Sequence, residues 1–196
     1  RLEIARLLAD ANLPRPQTKL VHSEESGLVA SAHFGDTATL LPLAPGAAEL
    51  PLLDREIAEA VLEHRAVLGK TVESTALVQK GIAGAGNRID VTVVDGQAVA
   101  MDGSCPVGAQ SAYGILAEET ARVLGASLIG ITLTQSEGQL VVWDITAVPE
   151  FREAIPVAGQ SVEAAVATMV ARLAIGEPVH SAPYLPTETD HVAFSV

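Results

Sequence analysis

The sequence predicts an α+β fold dominated by antiparallel strand pairing. Short apolar strands alternate with helical patterns along the chain. Two hairpins are clear, one turning at Asp95-Gly96 and one at Glu137-Gly138, each between apolar runs. The chain is 48% hydrophobic but only 3% aromatic, so its core is built from Val, Leu, Ile and Ala.

Leu2, Ile4, Leu7 and Leu8 recur at helical spacing, and the pattern stops at Asn12 and Pro14. Lys19 to His22 is a short strand. Ser23 then caps a helix to His33, with two glutamates in its first turn. Residues 37–45 and 48–54 read as two strands joined by a Pro-Gly turn, and Asp54 caps a helix to about Leu68. Residues 75–82 form another apolar strand, and 84–90 a loop. The hairpin over 90–101 follows, then a helix from Gln110 to Leu124, then the second hairpin through Thr146. Ser161 to about Ala174 is an amphipathic helix with Val162, Val166, Met169, Val170 and Leu173 facing inward. The Pro- and Thr-rich stretch from Gly176 is expected to be extended.

A chain of 196 residues can bury a full core as one domain or two small lobes. The formal charge of −12 argues against binding nucleic acid or anionic lipid, since both need a basic surface. A single cysteine, Cys105, excludes an intrachain disulfide. No apolar run approaches the roughly 20 residues of a membrane helix, and no signal-peptide pattern opens the chain. A cytoplasmic location is expected. The chain begins at Arg1, directly in a helical pattern, and the expectation is that an N-terminal segment has been removed.

The segment "LVVWDITAVPEF" (140–151) places Asp144 and Thr146 on one strand face before Pro149 ends the strand. A metal or substrate site at a strand end is one reading of that pair. An ordinary β-former beside a solvated carboxylate is the other. "GIAGAGNR" (81–88) has the glycines of a phosphate loop, but it lacks the G-x-G-x-x-G spacing and leads into a strand, so a flexible connector is the expected reading. No two of the five histidines share metal-ligand spacing, and Cys105 has no base in sequence to activate it.

Taken in order, several segments resemble the ATP-grasp family, closest to the carboxylate–amine ligases of the ribosomal-protein-S6 and lysine-biosynthesis glutamate-ligase (RimK-like) type. "LLADANLPRPQT" is similar to the segment opening the family's central domain, and "TLLPLAPG" to its "vlKPl.Gs" strand and loop. "ALVQKGI" is similar to the "lvQefi" strand at the adenine pocket, and "RIDVTVVDGQAVAM" to the "diRvfVvgGkvvAa" hairpin. "ETARVLGASLIGITLTQSEGQLVVWDITAVPEF" is similar to the end of the catalytic lobe. The resemblance implies two small lobes with antiparallel sheets and flanking helices, over 1–80 and 81–175, and an extended tail over 176–196. The expectation is that the family's N-terminal Rossmann-like lobe is absent from this chain.

In that family lysines hold the ATP phosphates, oxygen ligands hold magnesium, and an arginine steadies the acyl-phosphate. The resemblance sets the phosphate lysine at Leu41, hairpin arginines at Asp90 and near Asp102, the metal aspartate at Thr132, the metal glutamate at Asp144 and the metal asparagine at Thr146. It thus implies a degenerate site, kept as a binding or scaffold subunit. Partners would be a small molecule, an active ligase subunit or a second copy of the chain. The alternative is an active, divergent ligase using ATP and Mg. It would take Asp144 and Thr146 for metal, Lys70, Gln79 and Lys80 for the nucleotide, and Arg88 for the acyl-phosphate.

Overall fold

The computed structural model describes the chain except residues 36, 44–46, 69–74, 82–87, 103–109, 153, 158, 160 and 178–196, and except the side chains of 68, 110 and 111. Lys70, Cys105 and most of the tail expected from 176 lie outside the described residues. The chain divides into two compact units. One holds residues 1–2 and 16–85, the other 3–15 and 86–196.

The first unit is a four-stranded antiparallel sheet with two helices. Its strands are β1 (Thr18–Val21), β2 (Ala38–Pro42), β3 (Leu50–Leu52) and β4 (Ala76–Lys80), in the order β1-β4-β2-β3. Helices α2 (Glu24–His33) and α3 (Arg55–Leu68) supply residues to its core: Ala30, Ala58 and Leu62 lie buried with Val21, Ala38, Leu40, Leu52 and Val78. The two helices meet closely because Gly27 carries no side chain. A Cβ there would stand 2.8 Å from both methyls of Leu62.

Both helix starts follow from their caps. Ser23 Oγ accepts from the Ser26 amide at 3.2 Å, and Ser26 Oγ accepts from the Ser23 amide at 3.0 Å. This is a reciprocal capping box with serine in the place usually held by glutamate. Asp54 Oδ1 accepts from the Ile57 amide at 2.8 Å. Asp54→Ala leaves an orphan donor at the start of α3 and is expected to cost about 1 kcal/mol, read as a lowered midpoint in thermal unfolding.

The second unit is a five-stranded antiparallel sheet covered on both faces. Its strands are β5 (Ile89–Val94), β6 (Gln97–Asp102), β7 (Leu128–Ser136), β8 (Gln139–Thr146) and the two-residue β9 (Ile155–Pro156), in the order β8-β7-β5-β6-β9. The helices are α1 (Leu2–Asp10), α4 (Gln110–Leu124) and α5 (Val162–Ala174). One core joins Ile89, Val91, Val93, Ile131 and Leu133 to Tyr113, Ala117 and Ala121 of α4 and Leu8 of α1. A second joins Val94, Val99 and Ala100 to Val162, Ala165 and Met169 of α5.

The turns behave as their residues require. Asp95 (φ 49) with Gly96 (φ 77), and Glu137 (φ 52) with Gly138 (φ 80), place two successive residues in the left-handed region, as a type I′ turn demands. Helix α5 departs from its expected inward set. Val162 and Met169 are buried, but Val170 is 53% and Leu173 48% exposed, and Ala165 takes the inward place instead. A small residue at 165 lets the helix settle close to the sheet, and that turns the two larger side chains outward. At the start of α5, the Ser161 hydroxyl accepts from the Ala164 amide. A backbone hydrogen bond and the Ser161 hydroxyl hold the exposed Glu163 carboxyl below the usual glutamate range.

Candidate functional site

Antiparallel register builds the site. Asp90 stands across from Asp102 on one side and Thr132 on the other, and Thr132 stands across from Asp144. Directly opposed residues share a sheet face, so Asp102, Asp90, Thr132 and Asp144 form one row over four strands. The next row on that face is Ala100, Thr92, Gly130 and Thr146. Two β-bulges set this register. The β5–β6 pairing shifts between Thr92 and Val93, and the β7–β8 pairing between Thr132 and Leu133. Each leaves one extra residue on the outer strand.

Helix α5 covers part of this face, over Val94 and Ala100. The row itself stays accessible: Asp90 and Asp102 are exposed, Thr132 and Asp144 half-buried. Thr132 Oγ1 donates to Asp90 Oδ1. Thr146 Oγ1 donates to the Val148 carbonyl and accepts from the Val148 amide, both at 3.2 Å, in a local turn that ends β8. The Thr146 methyl lies over Gly130, where a Cβ would stand 2.7 Å from it. The Asp144 side chain makes no hydrogen bond to a described residue. Arg88 lies one residue before β5, half-buried, and it too makes none.

The structure therefore brings together four positions that the resemblance sets at arginine or metal sites: Asp90, Asp102, Thr132 and Asp144. The row holds three carboxylates and no cation. Among the described residues, no three His, Cys, Asp or Glu side chains converge as they would around a metal ion.

The remaining predicted residues lie in the first unit. Leu41 is 6% exposed on β2, across from Leu77. Thr39, two pairs along and so on the same face, stands across from Gln79, and both are buried. Thr39 Oγ1 also donates to the Gly81 carbonyl at 2.9 Å. Gln79 thus shares a face with Leu41. Lys80, the next residue on β4, faces the opposite side with Ala38 and Val78. Lys70 lies outside the described residues.

Sequence reasoning missed the Thr132–Asp90 hydrogen bond and the role of Gly130. The glycine was the available signal, because glycine inside a strand often marks close approach by a neighbour.

No family model matches the sequence. Among solved structures, the chain is similar to a RimK domain ATP-grasp protein from Sphaerobacter thermophilus. The identity is 28% and the TM-score 0.68, over 78% of this chain and 60% of that one. D-alanine–D-alanine ligase from Bacillus anthracis matches at 12% identity and TM-score 0.65, over 88% of this chain and 66% of the ligase. The ATP-grasp ligase PsnB, in complex with precursor peptide PsnA2 and AMPPNP, matches at 20% identity and TM-score 0.58, over 76% and 48%. The chain thus spans about three fifths of the length of the Sphaerobacter protein. Among the described residues no helix is long and apolar enough to cross a membrane. With its two antiparallel sheets and their flanking helices, the chain carries a partial ATP-grasp fold.

Proposed function

We propose that this chain is a degenerate ATP-grasp protein, a cytoplasmic binding or scaffold subunit that keeps the ligase-like fold without the ligase chemistry. The row Asp102–Asp90–Thr132–Asp144 carries this reading. Where the family has arginines and metal carboxylates, Asp90 and Thr132 close on each other. Magnesium demands near-octahedral oxygen coordination and strong negative charge. Of the three positions that correspond to metal ligands, only Asp144 offers a carboxylate. The other two offer hydroxyls already engaged, by Asp90 and by Val148. These residues do not fit a magnesium cage. Leu41 adds to the case, because a buried leucine cannot replace the charge of a phosphate-binding lysine. Each such loss typically removes a few kcal/mol of transition-state stabilisation.

The occupant of such a subunit would be a small metabolite or an extended peptide segment. The protein partner would be an active ligase subunit or a second copy of the chain. PsnB binds a precursor peptide, which supports the peptide option by analogy of fold only.

Arg88 and Asp144 favour the second reading, an active divergent carboxylate–amine ligase. Neither side chain is engaged by a described residue, so each would be available, Asp144 to magnesium and Arg88 to an acyl-phosphate. Lys70 or Lys80 would then serve the phosphates, with Gln79 beside the nucleotide.

Isothermal titration with ATP and ADP, with and without magnesium, separates the two. The degenerate reading expects no heat at millimolar nucleotide from a folded sample. Micromolar, magnesium-dependent binding that Asp144→Ala weakens would sink it and establish the ligase reading's nucleotide site.

A further inference from the structure

The second unit holds a cavity of about 670 Å³ at the turn end of the β5–β6 hairpin, walled by α4 and α5. Five residues of strand separate Asp90 from Asp95, roughly 17 Å at strand rise, so the cavity is distinct from the carboxylate row. Val94, Ala165 and Met169 line it, and all three are buried and apolar. Its polar lining includes Gln97 and Thr168 and three charged side chains, Asp95, Glu118 and Arg172. Arg172 pairs with Asp95, and its Nε stands 3.2 Å from Glu177. The guanidinium is thus shared between two carboxylates. Glu118 is the second carboxylate that lines the cavity. Its Oε1 accepts from the Ala98 amide at 3.0 Å, and its other oxygen has no partner among the described residues.

Lining Asp95 and Glu118 against Arg172 leaves a net negative charge over an apolar floor. A cation with a short hydrocarbon body satisfies both, by a charge-assisted hydrogen bond to Glu118 and by apolar burial. We propose that this cavity binds a small primary ammonium ion, with its nitrogen at Glu118 and its short apolar chain over Val94, Ala165 and Met169.

The test is an amide-resolved NMR titration of the chain at low ionic strength, with n-butylammonium chloride and, separately, n-butanol. Butylammonium is expected to shift the amides of Gly96, Ala98 and Thr168 saturably in the millimolar range, and butanol is not. Glu118→Gln keeps an oxygen for the Ala98 amide and removes only the charge. It should retain the unfolding midpoint and weaken butylammonium at least about tenfold. The proposal is overturned if butylammonium fails to saturate, if butanol saturates at the same amides as tightly, or if folded Glu118→Gln binds as the parent does.

Discussion

Gly130→Ala is expected to destabilise the second unit by about 1–2 kcal/mol, which is the balance of two opposed effects. The backbone at Gly130 lies outside the left-handed region, so alanine suits it locally. Restricting the unfolded chain would then favour alanine by about 0.4–1 kcal/mol. Against that stands overpacking, typically about 1–3 kcal/mol. A Cβ at 130 would lie 2.7 Å from the Thr146 methyl, 3.0 Å from Pro149 Cβ and 3.3 Å from Pro149 Cα. A proline ring and its backbone cannot swing aside as a long side chain would, so the clash wins. Thr146→Ser removes the nearest methyl and keeps the hydroxyl that forms the turn with Val148. The double variant should recover about 1 kcal/mol relative to additivity in thermal unfolding. Strict additivity of the two substitutions would show that Thr146 does not limit residue 130.

The same corner shows what the sequence could and could not disclose. Asp-Gly and Glu-Gly at the hairpin tips need φ above zero at two successive positions, and that chemistry is local, so both turns were legible. So were the caps at Ser23 and Asp54, and the common face of Asp144 and Thr146. The bulges were not. Counting pairs outward from Gly96 without a bulge would set Asp90 against Met101. Counting from Glu137 and Gly138 would set Thr132 against Trp143. The actual partners are Asp102 and Asp144. A one-residue slip moves a side chain to the other face, so turn counting alone cannot assemble the row. The resemblance could name its members because it aligns positions across the bulges. The inward set of α5 was illegible for a different reason. Val170 and Leu173 satisfy helical periodicity as well as Ala165 does, and only the shape of the opposing sheet decides between them. Of Lys70, Gln79 and Lys80, which the resemblance sets at the nucleotide, Gln79 and Lys80 are adjacent on one strand, and strand alternation sends them to opposite faces.

Thr132→Asp should destabilise the second unit by about 1–3 kcal/mol. It removes the hydroxyl that donates to Asp90 and puts a carboxylate directly between those of Asp90 and Asp144. A lost hydrogen bond of this kind costs about 0.5–1.5 kcal/mol, and each directly opposed like-charge pair about 0.2–1 kcal/mol. The row is open to solvent, so added NaCl should return part of the electrostatic share and none of the hydrogen bond. Asp90→Arg in the same chain would set a guanidinium between the carboxylates at 102 and 132, and the double variant should regain most of the loss. Magnesium gives the comparison that bears on function. In Thr132→Asp, four carboxylates would lie in one row, and millimolar MgCl₂ should raise the unfolding midpoint beyond NaCl of matched ionic strength. In the parent chain the degenerate reading expects no such excess, because the hydroxyls at 132 and 146 are engaged and Asp144 alone binds the ion weakly. An excess in the parent that Asp144→Ala abolishes would mean that the native row already gathers magnesium, and the divergent-ligase reading would then be the one to pursue.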